Sequence, residues 1–286
     1  MPHKLKIPFA KYHGLGNDFV VAPGDGLPRL LSDLARAITH RHTGIGADGF
    51  IVALPPRSRR HDARVRFFNA DGSEAEMSGN GIRCVAAFLA SRGGKKRALS
   101  IETAAGVKTL EQAEAGDGYW VFRVNMGVPI LEPKEIPFKP GDAQPPIVGF
   151  LLRTQRGVLP VTVTSMGNPH CTVFVADFIA IDWASLGRDI EANELFPNRT
   201  NVEFVKVVSR EEIEVRFWER GVGQTISSGT GSCAAVVASI LNGHTDRHVK
   251  VQTPAGFLEV SWPEGESVTL TGPVQRIAQG TYDFTG

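Results

Sequence analysis

Two short motifs place a serine hydroxyl directly before a predicted helix. They are Ser78-Gly79-Asn80-Gly81 and, 150 residues later, Ser228-Gly229-Thr230-Gly231. Each is followed by an apolar, alanine-rich run, residues 82–91 in the first case and 232–241 in the second. Glycines before good helix formers are typical of a loop that leads into a helix, with the serine near the N-cap. The sequence therefore predicts two helix N-termini, each with a hydroxyl beside it.

These predicted helix N-termini favour the binding of an anion. The helix dipole and the free backbone N–H groups of the first turn both attract negative charge. Neither glycine motif is followed by the lysine of a P-loop, which argues against a nucleotide as the anion. A serine hydroxyl holds its proton tightly, so Ser78 and Ser228 would need strong activation to serve as bases.

The offset of 150 residues extends well beyond the two motifs. Three further pairs of segments share it: residues 65–69 with 215–219, 101–106 with 251–256 and, one residue out of step, Gly16-Asn17 with Gly167-Asn168. The sequence therefore predicts two copies of one unit. If a pseudo-twofold axis relates the copies, both helix N-termini point at one shared cleft.

The order of elements predicts an α+β fold. Each half contains several strand-like segments and few helices, so we expect two pseudo-symmetric domains from an internal duplication. Each domain is predicted to be a mixed or antiparallel sheet wrapped around its central, glycine-capped helix. The predicted boundaries are residues 1–127 and 128–272. Residues 126–160 lose periodicity and are rich in proline, which is typical of an inter-domain connection.

Composition narrows the class of protein. Lys plus Arg number 31 and Asp plus Glu 30, so the charge gives no case for a nucleic acid or a membrane surface as partner. No uncharged apolar stretch reaches the ~20 residues of a membrane span, and the first residues lack the apolar core of a signal peptide. Three scattered cysteines suit neither a disulfide framework nor a zinc site. We expect a cytoplasmic protein without a bound metal.

Six motifs, in this order, closely resemble the diaminopimelate epimerase family. They are Gly-Leu-Gly-Asn-Asp-Phe at 14–19, Thr-Gly-Ile-Gly-Ala-Asp-Gly at 43–49, Phe-Asn-Ala-Asp-Gly-Ser-Glu at 68–74, Gly-Asn-Pro-His at 167–170, Thr-Asn-Val-Glu-Phe-Val at 200–205 and Glu-Arg-Gly-Val-Gly at 219–223. The resemblance covers about residues 12–272. It implies a homodimeric enzyme without a cofactor, whose two α/β domains close over the substrate. It also implies that residues 273–286 return to the first domain.

The activity implied by the resemblance is the interconversion of L,L- and meso-diaminopimelate, a step towards lysine and peptidoglycan precursors. Epimerisation without a cofactor needs a base on one face of the α-carbon, an acid on the other, and donors for the carboxylate. The family's two catalytic positions correspond to Ser78 and Ser228, and the residues that assist them correspond to His170 and Glu219. The implied substrate-binding residues are Asn17, Asn69, Asn168, Asn201 and Arg220, with the backbone amides around Gly79-Asn80 and Gly229-Thr230 for the reacting carboxylate.

The sequence departs from the family at these two catalytic positions, where the family has cysteine. A thiol can be shared as a thiolate and thiol pair at a helix N-terminus, whereas a hydroxyl is far less acidic. Cys84 and Cys233 lie about a turn and a half further along each predicted helix and do not restore the pattern. We expect both of them, and Cys171, to be core residues.

Three interpretations are open. The first is a diverged diaminopimelate epimerase whose serines still work, or work weakly. The second is a different isomerase, racemase or dehydratase on the same fold. The third is a non-catalytic protein that keeps the amino-acid pocket, and a chain disarmed by design would behave in the same way. Serines at 227 and 232 on either side of Ser228 favour natural divergence.

Overall fold

The computed structural model of the chain describes residues 5–28, 30–93 and 96–285. It divides into two compact units, of which the first comprises the chain up to Val124 together with the segment from Gly272, and the second is Asn125–Thr271. Within the described ranges there are 17 strands and four helices. The predicted α+β fold, dominated by mixed sheet and poor in helix, is confirmed.

The first unit contains the first nine elements of the chain and the greater part of the tenth. In chain order these are β1 (Leu5–Gly14), β2 (Asn17–Pro23), α1 (Leu31–Thr39), β3 (Gly49–Leu54), β4 (Ala63–Asn69), β5 (Glu74–Ala75), α2 (Gly79–Ser91), β6 (Ala98–Thr103), β7 (Gly106–Gly116) and β8 (Tyr119–Gly127). Strands β2 and β3 are parallel, as are β4 and β6, while the other neighbours are antiparallel.

The second unit repeats this pattern of elements. They are β9 (Ile147–Thr154), β10 (Gly157–Ser165), β11 (Pro169–Phe174), α3 (Trp183–Glu191), β12 (Asn201–Ser209), β13 (Glu212–Glu219), β14 (Gly223–Thr225), α4 (Gly229–Leu241), β15 (His248–Thr253), β16 (Gly256–Ser261) and the start of β17 (Val268–Phe284). Again two neighbouring pairs are parallel, β11 with β12 and β13 with β15. The remainder of β17 pairs with β1 of the first unit, from Leu5 opposite Phe284 to His13 opposite Gln275.

Helices α2 and α4 are each buried in the core of their own unit. Helix α2 packs against β1, β2 and β3, and α4 packs against strands β10 to β13, β15 and β16. The apolar runs explain this burial, since Ile82, Val85 and Ala86 are wholly buried in α2, as are Val236 and Val237 in α4. No helix in the described part of the chain is long and apolar enough to cross a membrane.

The predicted serines are the N-caps of both central helices, but the glycines that follow them are helical and do not form a loop. Helix α2 starts at Gly79 and α4 at Gly229. Each serine side chain caps the helix, so the first helical turn tolerates two glycines despite their poor intrinsic propensity. The glycine motifs are therefore helical first turns.

The prediction that residues 126–160 form an inter-domain connection is wrong. This stretch belongs to the second unit, and it contains β9 and the first residues of β10, which form an antiparallel hairpin. Strand β9 exposes Val148 and Leu151 and buries Leu152. Apolar residues on the exposed positions hide the alternation by which a half-buried strand is recognised.

Candidate active site

Ser78 and Ser228 are the N-caps of α2 and α4. The Oγ of Ser78 accepts a hydrogen bond from the N–H of Gly81 at 3.0 Å, and the Oγ of Ser228 accepts one from the N–H of Gly231 at 3.2 Å. Both serines have the extended backbone that an N-cap requires. Ser228 is buried, whereas Ser78 is partly exposed.

The glycine three residues after each serine allows the helix to approach the sheet closely. A Cβ on Gly81 would lie 2.9 Å from the ring of Phe67, and one on Gly231 would lie 3.0 Å from the ring of Phe217. The two phenylalanines are 150 residues apart, like the serines. The same local packing therefore holds each helix N-terminus in place.

The first two N–H groups of each helix are free of intrahelical partners. They belong to Gly79 and Asn80 in α2 and to Gly229 and Thr230 in α4, because helical N–H groups find a carbonyl only after the first turn. Each half of the chain thus presents two backbone donors, at the positive end of a helix dipole, beside a serine hydroxyl. A carboxylate is the complementary group.

A chain of amide contacts runs from α2 to the start of β2 in the first unit. Asn80 accepts a hydrogen bond from the wholly buried Arg83 at 2.7 Å and donates one to the amide oxygen of Asn17 at 3.2 Å. Asn17 in turn donates to the Oδ2 of Asp48 at 2.9 Å. An amide has two N–H donors and two lone pairs, so Asn17 keeps one of each for a ligand.

Asp48 is itself held by charges. Arg41 donates to its Oδ1 at 2.6 Å and also contacts the buried carboxylate of Asp18 at 3.0 Å, which Lys11 approaches to 2.9 Å. Burial alone would raise the pKa of Asp18, but the hydrogen bonds and charges of Lys11 and Arg41 outweigh it and hold the pKa below its usual value. This cluster fixes the loop before β3 against β2.

Asn69 is the last residue of β4 and lies at the start of the turn that follows it. Its side-chain amide donates to the hydroxyl of Ser73 at 2.9 Å, and its backbone N–H donates to the carbonyl of Ser73, also at 2.9 Å. The residue is exposed. Within the described ranges, its side-chain hydrogen bond is therefore local to the turn and does not join it to another predicted site residue of the first unit.

In the second unit, Glu219 lies beside Ser228. Burial raises the pKa of the Glu219 carboxyl, although hydrogen bonding with the hydroxyls of Ser228 and Thr225 opposes the rise. The Oγ of Thr225 donates to the carboxylate at 3.2 Å. A carboxylate with a raised pKa is a stronger base than usual, so Glu219 is suited to take a proton from Ser228.

His170 is wholly buried and makes contacts through both ring nitrogens. Its Nδ1 lies 2.7 Å from the Oε1 of Glu203, and its Nε2 lies 3.0 Å from the Oδ1 of Asn168. Asn168 also reaches the hydroxyl of Thr230 in the first turn of α4, at 3.4 Å. The predicted residues His170, Asn168 and Thr230 are therefore linked in one network.

Asn201 and Arg220 are also brought together in the second unit. The amide of Asn201 donates to the carbonyl of Pro169 at 2.9 Å and accepts from the backbone N–H of Arg220 at 3.0 Å. The exposed guanidinium of Arg220 donates to the carbonyl of Asn198 at 3.2 Å. Asn201 thus anchors the backbone at Arg220, and the guanidinium has further donors for a carboxylate.

The three cysteines are buried, as predicted. Cys84, Cys171 and Cys233 are each 0% exposed. Burial raises the pKa of Cys84 to about 12, and burial with the nearby charge of Glu203 raises the pKa of Cys171. Neither thiol can ionise near neutral pH. Within the described ranges there is no group of three or more His, Cys, Asp or Glu side chains that could hold a metal ion.

Sequence reasoning did not assign a role to Asp48 or Glu203. Both lie in motifs that carried the family resemblance, yet each meets its partner only through tertiary structure. Asp48 reaches Asn17 across the parallel pair of β2 and β3, and Glu203 reaches His170 across the parallel pair of β11 and β12. The available signal for Glu203 was a charged residue within the otherwise apolar strand segment 202–205.

Sequence comparisons connect the chain with one enzyme family. The model of the family described as diaminopimelate epimerase matches residues 9–132 and 162–277, more than half of the chain. The diaminopimelate epimerase of Pelotomaculum thermopropionicum is 45% identical over 280 residues, covering 96% of this chain and 99% of the relative. That of Desulforudis audaxviator is 47% identical over 278 residues, covering 96% and 98%.

Solved structures share the fold at low sequence identity. A hydroxyproline epimerase from Agrobacterium vitis superposes with a TM-score of 0.73 at 15% identity, covering 100% of this chain and 95% of the other. A protein of the PhzF phenazine biosynthesis family from Bacillus anthracis gives a TM-score of 0.66 at 17% identity, covering 97% and 99%. At these identities the likeness concerns the fold alone.

Proposed function

Because the chain belongs to the diaminopimelate epimerase family, we propose that it is an amino-acid epimerase that interconverts L,L- and meso-diaminopimelate. The observation that carries the proposal is the match to family members at about 45% identity over nearly the whole length of both chains. The reaction is a proton transfer at the α-carbon. We also propose that it proceeds without a cofactor.

The reacting carboxylate would be bound by the helix N-termini. The free N–H groups of Gly79 and Asn80, and those of Gly229 and Thr230, are donors suited to the negative charge that develops when the α-proton leaves. Donors fixed in the first turn of a buried helix need no reorganisation during the reaction. This mechanism requires that the N-termini of α2 and α4 act on the same α-carbon, which stays a prediction.

Ser228 and Glu219 form the acid–base pair that the structure supports best. In one direction the Oγ of Ser228 would take the α-proton while its own proton passes to the carboxylate of Glu219, which the raised pKa favours. The Ser78 hydroxyl would return a proton to the opposite face. His170 is proposed as the further assisting residue. Since a hydroxyl is much less acidic than a thiol, we expect turnover to be slow.

The far end of the substrate carries a second amino group and a second carboxylate. We propose that Arg220 binds this carboxylate, because its guanidinium is exposed and its backbone is anchored by Asn201. Asn17, Asn69 and Asn168 are proposed to bind the amino group and to orient the substrate. An uncharged or singly charged amino acid would then bind more weakly.

The physiological setting follows from the family and stays a proposal. We propose a cytoplasmic homodimer that supplies meso-diaminopimelate for lysine and peptidoglycan precursors. The domain boundaries 1–127 with 273–286, and 128–272, are likewise proposed as the units of the duplication. Sedimentation of the purified chain at several concentrations would test the homodimer.

Proton exchange in deuterated water tests the function directly. L,L-diaminopimelate is incubated with the protein, and deuterium at the α-position is measured by NMR together with the appearance of the meso isomer. Label and isomer above a blank without protein support the epimerase. Binding by calorimetry without label indicates the non-catalytic interpretation, and neither binding nor label, with turnover of another acid, indicates a different isomerase.

A further inference from the structure

Glu203 is a carboxylate buried against a single polar partner. Its side chain is 1% exposed, and its Oε1 lies 2.7 Å from the Nδ1 of His170. Its Oε2 is buried and has no hydrogen-bond partner among the described residues. A buried charge is costly unless it is paired. The hydrogen bond with the imidazole of His170 therefore lowers the free-energy cost of burying this carboxyl.

The contact made by the second ring nitrogen, Nε2, indicates which nitrogen of His170 carries a proton. The Nε2 of His170 lies 3.0 Å from the Oδ1 of Asn168, and Asn168 directs its Nδ2 at the hydroxyl of Thr230. An amide oxygen only accepts hydrogen bonds, so with the Asn168 amide in this orientation Nε2 carries a hydrogen. A neutral imidazole has only one N–H, so the short contact at Nδ1 needs a second proton. That proton belongs either to an imidazolium or to a protonated Glu203.

In both arrangements the pair holds two protons and has no net charge. This neutrality suits a site with 0% exposure for His170. The titratable groups around the pair are Glu219, whose charge helps to raise the pKa of Glu203, and Cys171, whose pKa Glu203 raises in turn. Burial is the largest cause of the raised pKa of Glu203, and His170 opposes it.

The first turn of α4 also touches the carboxyl. The Oε1 of Glu203 lies 3.0 Å from the point where a Cβ on Gly231 would stand. The absence of that Cβ lets the carboxyl sit against the positive end of the helix, where negative charge is favoured. Glu203 is therefore placed between the imidazole and the same helix N-terminus that Ser228 caps.

We propose that Glu203 is a positioning residue for His170. By holding Nδ1, it fixes the orientation of the ring and keeps a proton on Nε2, so that His170 faces Asn168, and a ligand bound beside Asn168, as a hydrogen-bond donor. His170 is thus a donor and not a proton acceptor in the resting protein. The relevance of this arrangement to catalysis rests on the proposed epimerase function, but the arrangement itself does not.

Nitrogen NMR of the histidine rings tests the proposal without any assay of activity. The full chain is labelled with ¹⁵N-histidine, and two-bond ¹⁵N–¹H spectra are recorded across the neutral pH range. His170 is the one buried histidine among the described residues, so its ring N–H exchanges most slowly, and His170→Asn confirms the assignment. We expect the Nε2 of His170 to be protonated throughout.

Glu203→Gln removes the carboxylate while keeping the size of the side chain. We expect the ¹⁵N signal of Nδ1 of His170 to move in this variant, since the carboxyl oxygen that lies 2.7 Å from it is replaced. Glu214→Gln is the matched control, because Glu214 lies on the neighbouring strand β13 and pairs with Lys206 at 3.9 Å. It should leave the His170 signals unchanged.

Two results overturn the proposal. One is a His170 spectrum in Glu203→Gln that matches the parent at every pH. The other needs no variant and so holds even if Glu203→Gln fails to fold: a parent ring protonated at Nδ1 alone, with a bare Nε2. Failure of the epimerase proposal is seen separately, as a lack of α-deuteration with these spectra as expected.

Discussion

The hydroxyl oxygen of Ser78 accepts a hydrogen bond from the backbone N–H of Gly81 at 3.0 Å, which makes this residue the N-cap of a buried helix. The same atom stands at a proposed catalytic position. A substitution here therefore changes both stability and chemistry, and the two effects have to be measured separately.

The cap predicts a graded loss of stability. Ser78→Ala removes the acceptor, and we expect the free energy of unfolding to fall by about 1 kcal/mol. Ser78→Gly should cost only about a few tenths of a kcal/mol, because glycine leaves the terminal N–H groups accessible to water. Urea denaturation followed by circular dichroism measures both. Equal stability of the alanine variant and the parent would show that the cap contributes nothing.

Replacing both serines by cysteine should raise epimerase activity strongly. A thiol at a helix N-terminus ionises near neutral pH, which a hydroxyl does not, and Glu219 already lies beside position 228. Ser78→Cys or Ser228→Cys alone should do little, since proton removal and return need both groups. The α-deuteration assay compares the four proteins. An inert double variant, alongside a parent that turns over another substrate, would contradict the epimerase assignment.

Arg220→Ala should abolish measurable binding of diaminopimelate. The change removes the guanidinium proposed to bind the distal carboxylate, and calorimetry measures the loss. Arg247→Ala is the matched control, because this exposed arginine likewise donates to a main-chain carbonyl, that of Trp262, at 3.1 Å. Its affinity should equal that of the parent. If both variants bind alike, Arg220 does not recognise the substrate.

Asp48→Asn should weaken diaminopimelate binding through Asn17. The variant replaces a charged acceptor by a neutral one, and we expect a loss of about 1 kcal/mol in binding free energy, which corresponds to about fivefold in affinity. Asp246→Asn removes a comparable exposed ion pair with Arg210 and serves as the control. Titration calorimetry on both variants decides. If the two variants bind diaminopimelate with the same affinity, Asp48 does not orient Asn17 for binding.

The carboxyls of the partly buried Glu219 and the buried Asp18 should affect stability with opposite dependence on pH. Burial raises the folded-state pKa of Glu219, so the folded protein holds this proton more tightly and its contribution to stability is lost as pH rises above the usual value of 4.5. The pKa of Asp18 is lowered, so its contribution is present above 3.8 and lost as pH falls. Relative to the parent, Glu219→Gln should therefore gain stability from acid to neutral pH, and Asp18→Asn should lose it. Denaturation midpoints with the same trend for both variants would refute this.

The sequence predicts the serine caps because they depend on local chemistry alone. A serine followed by good helix formers indicates an N-cap from only a few residues. The burial of Cys84 and Cys233 is also predicted locally, because both lie in the apolar run about one and a half turns later. The helical conformation of Gly79 and Gly229 is not evident from the sequence, because glycine has a low helix propensity and is typical of loops.

The supporting contacts could not be predicted because they depend on strand pairing. Asp48 meets Asn17, and Glu203 meets His170, only after two strands distant in sequence lie parallel in one sheet. The strand Ile147–Thr154 was missed because it exposes apolar residues such as Leu151. The superposition of the two domains, and the facing of their helix N-termini, stay predictions.

The pairing of β17 with β1 has a consequence during synthesis on the ribosome. Strand β1 is translated long before its partner, the segment from Gln275 to Phe284. The segment Asn125–Thr271 is contiguous and can fold as soon as it leaves the exit tunnel. The first unit, in contrast, keeps one edge of β1 unpaired until residues 275–284 have been synthesised. We therefore expect nascent chains released before residue 272 to bind chaperones through the exposed edge of β1, and chains that include residues 275–284 not to bind them.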